Sequence, residues 1–172
     1  MQVTALVTYV RNGVNIESGT VNLITVAQAL HWFHFESFYT EVKRVAAENA
    51  FIAAWAYSLL QIDEQIDLLI RDYHFNLLGK FWDAERKYVD DGYRNIPFPF
   101  EKIDVPQFYI ETYWTIEELQ GYLNTWSALQ HYIAEKGNSP VPGLIEAIKS
   151  SWGNANKRRI IFPVHLLLGA IK

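Results

Sequence analysis

The chain has 172 residues, of which 50% are hydrophobic, 15% aromatic and 20% charged. This length fits one domain of about 100–200 residues, and the apolar content excludes an intrinsically disordered protein. The formal net charge is −4, so the basic excess typical of nucleic-acid-binding proteins is absent and we expect no nucleic-acid partner. With no cysteine in the chain, disulfides and thiolate metal sites are excluded.

The N-terminal segment has the pattern of a strand and not of a targeting signal. Residues 1–10 are rich in Val, Thr and Tyr, which favours a strand. The segment lacks the basic start and apolar core of a secretory signal, and no apolar run of the chain reaches the about 18–20 residues needed to cross a bilayer. We therefore expect a cytoplasmic protein without a membrane partner.

The next part of the chain alternates strand and helix signals. The apolar run over residues 21–30 predicts a strand that is buried on both faces. Apolar residues then recur every three or four positions over 35–46, which predicts an amphipathic helix of three turns. After a break at 48–49, residues 50–57 predict a second strand. Strand, helix and strand in this order indicate a parallel crossover unit of an α/β fold.

The middle of the chain predicts a helix, a long loop and a short strand. One apolar face recurs over residues 62–78, and Gly79 is expected to end that helix. Residues 82–100 contain two closely spaced prolines, which favour an ordered loop. Residues 107–112 then favour a short strand.

The C-terminal third carries the clearest helix signal. Thr115, followed three positions later by a glutamate, has the spacing of a capping box and predicts one helix over residues 116–136. A shorter helix is predicted over 144–152. Residues 160–171 predict a last strand, in which Pro163 must occupy a bulge or an unpaired position because proline has no N–H.

Few motifs point directly to chemistry. The sequence has no G-x-G-x-x-G, no P-loop, no G-x-S-x-G and no H-E-x-x-H. His31 and His34 lie close to Glu36, but no further ligands have a suitable spacing, so we predict no metal site. We interpret the acidic cluster at 63–67 as the N-terminal turn of a helix, and residues 90–92 as a turn.

The segment 21–33, VNLITVAQALHWF, resembles the fourth strand and following loop of class I S-adenosylmethionine-dependent methyltransferases of the methyltransferase-11 type. Later blocks, DDGYRNIPFPF, TYWTIEELQGYLNTWSALQ and RRIIFPVHLLLG, resemble the cap, late helix and last strand of a subgroup related to trans-aconitate-type methyltransferases. The resemblance covers roughly residues 7–172. It implies an α/β fold with a partial class I, Rossmann-like sheet, an antiparallel C-terminal strand and a cap formed by helices 62–78 and 116–136.

The resemblance also implies a single truncated domain over 1–172, with a cap insertion at 58–105. In this family a Gly-rich loop and an acidic residue after the second strand hold the cofactor, and neither has a counterpart in the sequence. Asn22 stands where the family often has Asp, and residues 47–50 replace a Pro-Gly-Gly turn. We therefore expect S-adenosylmethionine to bind weakly or not at all to this chain alone.

The implied cofactor-binding residues are Ala27, Gln28, His31 and Trp32, and His31 is the candidate catalytic base. The alternative is that His31 and Trp32 only close the end of the strand by hydrogen bonding and packing. The implied function is methyl transfer to a small-molecule acceptor. A non-enzymatic remnant or interaction module, which keeps the fold without cofactor binding, is the competing hypothesis.

The same resemblance predicts an open sheet edge. In the family the fourth strand pairs with the first, so the backbone of residues 21–27 would present a free apolar edge. Such an edge is expected to be covered either by residues 3–10 or by a second copy in a homodimer.

Overall fold

The computed structural model describes residues 15–171, which form a five-stranded sheet flanked by helices. The strands are β1 (Val21–Ala27), β2 (Ala46–Tyr57), β3 (Glu101–Ile103), β4 (Phe108–Trp114) and β5 (Arg158–Ala170). The α-helices are α1 (Phe35–Val45), α2 (Glu64–Asp72), α3 (Arg86–Asp90), α4 (Ile116–Leu123), α5 (Ser127–Lys136) and α6 (Val141–Trp152). The strand predicted at residues 1–10 lies outside the described residues.

The sheet is mixed, as the sequence predicts. β1 pairs with β2 in parallel, and α1 is the helix of this crossover. β5 runs antiparallel to β2 on one side and to β3 and β4 on the other. The α/β fold class with an antiparallel C-terminal strand is therefore confirmed. None of the helices in residues 15–171 is long and apolar enough to cross a membrane.

Pro163 lies within β5, opposite Tyr109 of β4. Its carbonyl oxygen accepts a hydrogen bond of 2.9 Å from the N–H of Ser58, one residue beyond the end of β2. In an antiparallel strand the N–H and C=O of one residue point to the same side. The N–H that proline lacks would therefore face Ser58, just past the end of β2, so its absence removes no hydrogen bond between β5 and the residues of β2.

The prediction that the first described strand is buried on both faces is wrong. β1 is an edge strand of the described sheet, so only Val26 is fully buried and Leu23 is 56% exposed. β2 begins at Ala46 and not after the predicted break, because Asn49 takes a left-handed conformation (φ 60°) inside a bulged part of the strand.

The predicted helix 116–136 is two helices, although the capping box at Thr115 is present as expected. α4 ends after Leu123, and Trp126 has an extended backbone (φ −69°, ψ 129°) from which α5 begins. α5 then ends at Gly137, whose left-handed conformation (φ 80°) is common for glycine at the C-terminus of a helix.

Two further boundaries differ from the sequence predictions. The helix predicted over 62–78 is α2 followed by a π-helical turn (Tyr73–Leu77), and Gly79 begins a short 3-10 turn. The predicted loop 82–100 contains α3. The strands predicted at 107–112 and 160–171 and the helix predicted at 144–152 are confirmed as β4, β5 and α6, with shifted ends.

Two apolar clusters form the core. One packs α1 and residues 89–100 against the face of β2 that carries Ile52 and Ala54. The other joins α2, α4, α5 and α6 to the first part of β5, so the helices predicted to form a cap share one core with α6.

The opposite face of the sheet is covered only in part, where the second cluster buries Ile160 and Phe162 of β5. Five other apolar side chains on this face are each between 37% and 56% exposed: Leu23, Phe51, Ile103, Phe108 and Ile110. Within residues 15–171, β1 pairs only with β2, so its outer edge is open there. Pairing of this edge with a second copy stays a prediction.

Gly92 is required for both its conformation and its lack of a side chain. Its φ is +67°, and a Cβ atom would lie 2.7 Å from His165 Nδ1. Gly92→Ala should therefore lower the free energy of unfolding by about 2–3 kcal/mol, from left-handed strain plus overlap. Gly137→Ala is the control, because its φ is +80° with nothing within 4 Å, and it should lose only about 1 kcal/mol. Equal losses in urea unfolding would contradict the close contact with His165.

Candidate functional site

The candidate site lies at the carboxyl ends of the two parallel strands. β1 ends at Ala27, and the chain passes through Gln28 into a short 3-10 turn (Leu30–Trp32) before α1 begins. β2 ends beside it at Tyr57. Open α/β sheets bind ligands beyond the carboxyl ends of their strands, so this edge is where a ligand is expected.

Gln28 joins the ends of the two strands. Its backbone is left-handed (φ 49°), and its N–H donates to the carbonyl of Trp55 at 2.8 Å. The side-chain Oε1 accepts from the N–H of Tyr57 at 2.9 Å, and Nε2 lies 3.5 Å from the Tyr57 carbonyl oxygen. The amide of this predicted cofactor residue is therefore engaged within the protein, where it fixes the geometry of the edge.

Replacing Gln28 should reverse the usual order of alanine and glycine. Both variants lose the hydrogen bonds to Tyr57. The left-handed backbone at residue 28 is strained for alanine but not for glycine, which has no Cβ atom. We expect Gln28→Ala to be less stable than Gln28→Gly by about 1 kcal/mol, measured by urea unfolding. If alanine proves the more stable of the two, the backbone of residue 28 is not held in this conformation.

His31 is buried against Tyr93. The imidazole is 6% exposed, and its Nδ1 lies 2.9 Å from the Tyr93 hydroxyl oxygen. Burial, assisted by the nearby guanidinium of Arg86 and opposed by Glu85, lowers the pKa of His31 to about 4. The imidazole is therefore neutral at neutral pH.

Two of the predicted site residues present accessible surface at this edge. Trp32 is 52% exposed, and its ring centroid lies 5.0 Å from that of His31. Trp32 and His31 line an open depression of about 370 Å³ between residues 31–35 and 84–88. Ala27 is exposed at the end of β1, opposite Trp55. A ligand can therefore contact Ala27 and Trp32 directly.

A charged network that the sequence analysis missed lies next to this depression. Arg86 donates from Nε to Asp90 Oδ1 at 3.0 Å, and its guanidinium lies 4.6 Å from the centroid of the Trp82 ring. Asp90 Oδ1 is also 3.2 Å from Nε2 of His74, which is fully buried. Burial disfavours the charged carboxylate, but His74 and Arg86 outweigh it and keep the pKa of Asp90 below its usual value.

Only part of this network had a signal in the sequence. Arg86 and Asp90 are four residues apart, the spacing of an ion pair on a helix. His74 contributes through the π-helical turn, and no spacing rule connects it to Asp90. The network fixes α3 against the helical core beside the candidate site.

Asp63, Asp67 and His34 hydrogen-bond to backbone N–H groups at the starts of helices. Asp63 accepts from the N–H of Ile66 at 3.0 Å and caps α2, and Asp67 accepts from the N–H of Ile62 at 2.7 Å. His34 caps α1 through Ser37. In the part of the chain that the structure describes, no group of three or more His, Cys, Asp or Glu side chains is placed to hold a metal ion.

The fold defines the class of open α/β sheets, in which ligands bind beyond the carboxyl ends of the strands. No family model matches the chain. It is 32% identical over 162 residues to a "Putative methyltransferase" of Dictyostelium discoideum, a match that covers 90% of this chain and 62% of that protein.

A solved structure, "a Putative Type II Methyltransferase from Anaeromyxobacter dehalogenans", is 33% identical, with a TM-score of 0.83 over 91% of this chain and 67% of that chain. The crystal structure of a "putative methyltransferase" from Bacillus halodurans has 13% identity and a TM-score of 0.40, too low to support an argument. The chain belongs to the methyltransferase family and spans 62% of the length of its Dictyostelium relative.

Proposed function

We propose that the chain takes part in methyl transfer from S-adenosylmethionine to a small molecule, at the edge formed by Ala27, Gln28, His31 and Trp32. The observation that carries the proposal is the similarity to the Anaeromyxobacter structure, at a TM-score of 0.83. The exposed edge at the ends of β1 and β2 supports it, because this is where open α/β sheets hold their ligands.

The residues at the edge fit the chemistry of this cofactor in part. S-adenosylmethionine, when bound, supplies a methyl group on a cationic sulfonium. The half-exposed indole of Trp32 offers a face that attracts cations, and Ala27 is exposed at the end of β1. Gln28 supports the edge through Tyr57, and the polar ring of His31 lies next to Trp32, with 5.0 Å between the ring centroids. The contribution of these residues is to orient the ligands and exclude water.

The competing proposal is an interaction module that keeps the fold without cofactor binding. The exposed apolar side chains on one face of the sheet favour it, because exposed apolar patches mark interaction surfaces. We also propose that the activity of this chain is impaired and that it belongs to the trans-aconitate-type subgroup. A single domain with a cap insertion at 58–105 and a cytoplasmic location are further proposals.

A methyl-transfer assay separates the two functions. The chain is incubated with S-adenosylmethionine carrying a ¹³C-labelled methyl group, together with carboxylate, amine, thiol and phenol acceptors in turn. We expect label transfer to at least one acceptor, reduced in Trp32→Ala and unchanged in Leu68→Ala, which alters a residue that is 64% exposed on α2. Absence of transfer to every acceptor, with the cofactor in excess of its dissociation constant, would favour the interaction module.

A further inference from the structure

We propose that Tyr93 is a positioning residue that holds His31 as a hydrogen-bond donor in the methyl-transfer site, with its proton on Nε2 and its lone pair on Nδ1. This inference rests on the proposed function and deepens it. It assigns to His31 the role of binding and orienting a ligand oxygen, in place of the proton removal that the sequence suggested.

The burial of the Tyr93 hydroxyl defines the direction of this contact. The hydroxyl oxygen lies 2.9 Å from His31 Nδ1, which is its hydrogen-bond partner among the described residues, and Tyr93 is fully buried. A buried hydroxyl whose proton has no acceptor costs free energy, so the hydroxyl donates to the acceptor within reach. The acceptor beside it is Nδ1, so the proton of the neutral imidazole is on Nε2.

The backbone of Tyr93 indicates that the chain is held in a strained conformation to make this contact. Its φ is 61°, in the left-handed region that is unfavourable for a bulky side chain. Gly92 before it is also left-handed, and the N–H of Tyr93 donates to the carbonyl of Tyr88 at 2.7 Å. The phenol that this turn places under the Leu30–Trp32 segment is fully buried.

The other side of the imidazole faces the depression. Nε2 has no protein partner within residues 15–171, and His31 lines the depression together with Trp32 and Glu85. The charged groups that act on His31 are Arg86, which disfavours protonation, and Glu85, which favours it. The remaining titratable side chains that line the depression are Lys87, His34 and Tyr88. A neutral N–H is therefore presented where a ligand can accept it.

The tautomer can be read directly by NMR. A long-range ¹H–¹⁵N correlation spectrum of the uniformly labelled chain at pH 7 should show His31 Nε2 as the protonated nitrogen and Nδ1 as the unprotonated one. Tyr93→Phe keeps the ring and removes the hydroxyl, and it should produce a mixture of the two tautomers. A proton on Nδ1 in the wild-type chain would overturn the proposal, and this result does not depend on whether the variant folds.

Activity provides a readout that separates a donor from a base. His31→Gln keeps an N–H donor but cannot act as a base, and His31→Ala lacks both. In the labelled-methyl assay we expect His31→Gln to retain most of the rate that His31→Ala loses. An equal loss of about 100-fold or more in both variants, the usual contribution of a general base, would contradict the donor role. If no variant and no wild-type chain transfers the label, the proposed function fails while the tautomer measurement still decides the position of the proton.

Discussion

Trp126→Ala is expected to lower the free energy of unfolding by about 3–5 kcal/mol, as truncation of large core side chains does. Trp126 is 7% exposed and lies at the start of α5, where the chain enters the helical core. Its ring centroid is 5.5 Å from that of Trp82, 6.0 Å from Tyr122 and 6.1 Å from Tyr73. Alanine would leave a cavity among these rings, which are held by three different segments and cannot all move inward.

Urea unfolding of Trp126→Ala, followed by far-UV circular dichroism, measures this loss. Trp32→Ala is the matched control, because it removes the same side chain from a site that is 52% exposed and should cost about 1 kcal/mol or less. Similar losses in the two variants would show that α5 does not bury Trp126 as described.

Calorimetric titration of the chain with S-adenosylmethionine is expected to show no saturation below about 1 mM. The sequence has no Gly-rich loop, so the backbone donors that bind the charged end of such a ligand have no counterpart in it. Hydrogen bonds to charged groups contribute roughly 1.5–3 kcal/mol each, so the loss of two or three removes about 3–9 kcal/mol. The aromatic face of Trp32 contributes only about 0.5–2 kcal/mol to holding a cation.

A dissociation constant in the micromolar range would contradict this prediction. It would require backbone or carboxylate groups that hold the amino-acid and ribose ends of the cofactor. A Trp32→Ala control is informative at high cofactor concentration, because the heat of binding that remains in wild type should fall further when the indole is removed.

The sequence predicted the elements whose signals are local. The recurrence of apolar residues over 35–46 gave α1, and the capping box at Thr115 gave the start of α4. The parallel pairing of β1 and β2 followed from the order strand, helix, strand, and the antiparallel β5 followed from the family resemblance; both are confirmed. Local hydrogen bonding and periodicity are properties of short segments, so they can be read from one sequence.

Features that depend on distant contacts could not be predicted. The continuous apolar stripe through 116–136 predicted one helix. The structure has two helices there, because Trp126 enters the core with an extended backbone. The prediction that residues 21–30 are buried on both faces was wrong, because the burial of a strand depends on what packs against each of its faces. In the site, the contact of His31 with Tyr93 spans 62 positions of the chain, and no sequence spacing indicates it.

The measurement that tests the central proposal most directly is a backbone NMR titration of the ¹⁵N-labelled chain with S-adenosylmethionine into the millimolar range. We expect the largest shift changes at the amides of Ala27, Gln28 and Trp32 and at the Trp32 indole N–H. An open groove of about 500 Å³ between α2 and α6, lined by Leu68 and Ser151, serves as the internal comparison. Largest changes in that groove, or no changes at the carboxyl ends of β1 and β2, would contradict the proposal that this edge holds the cofactor.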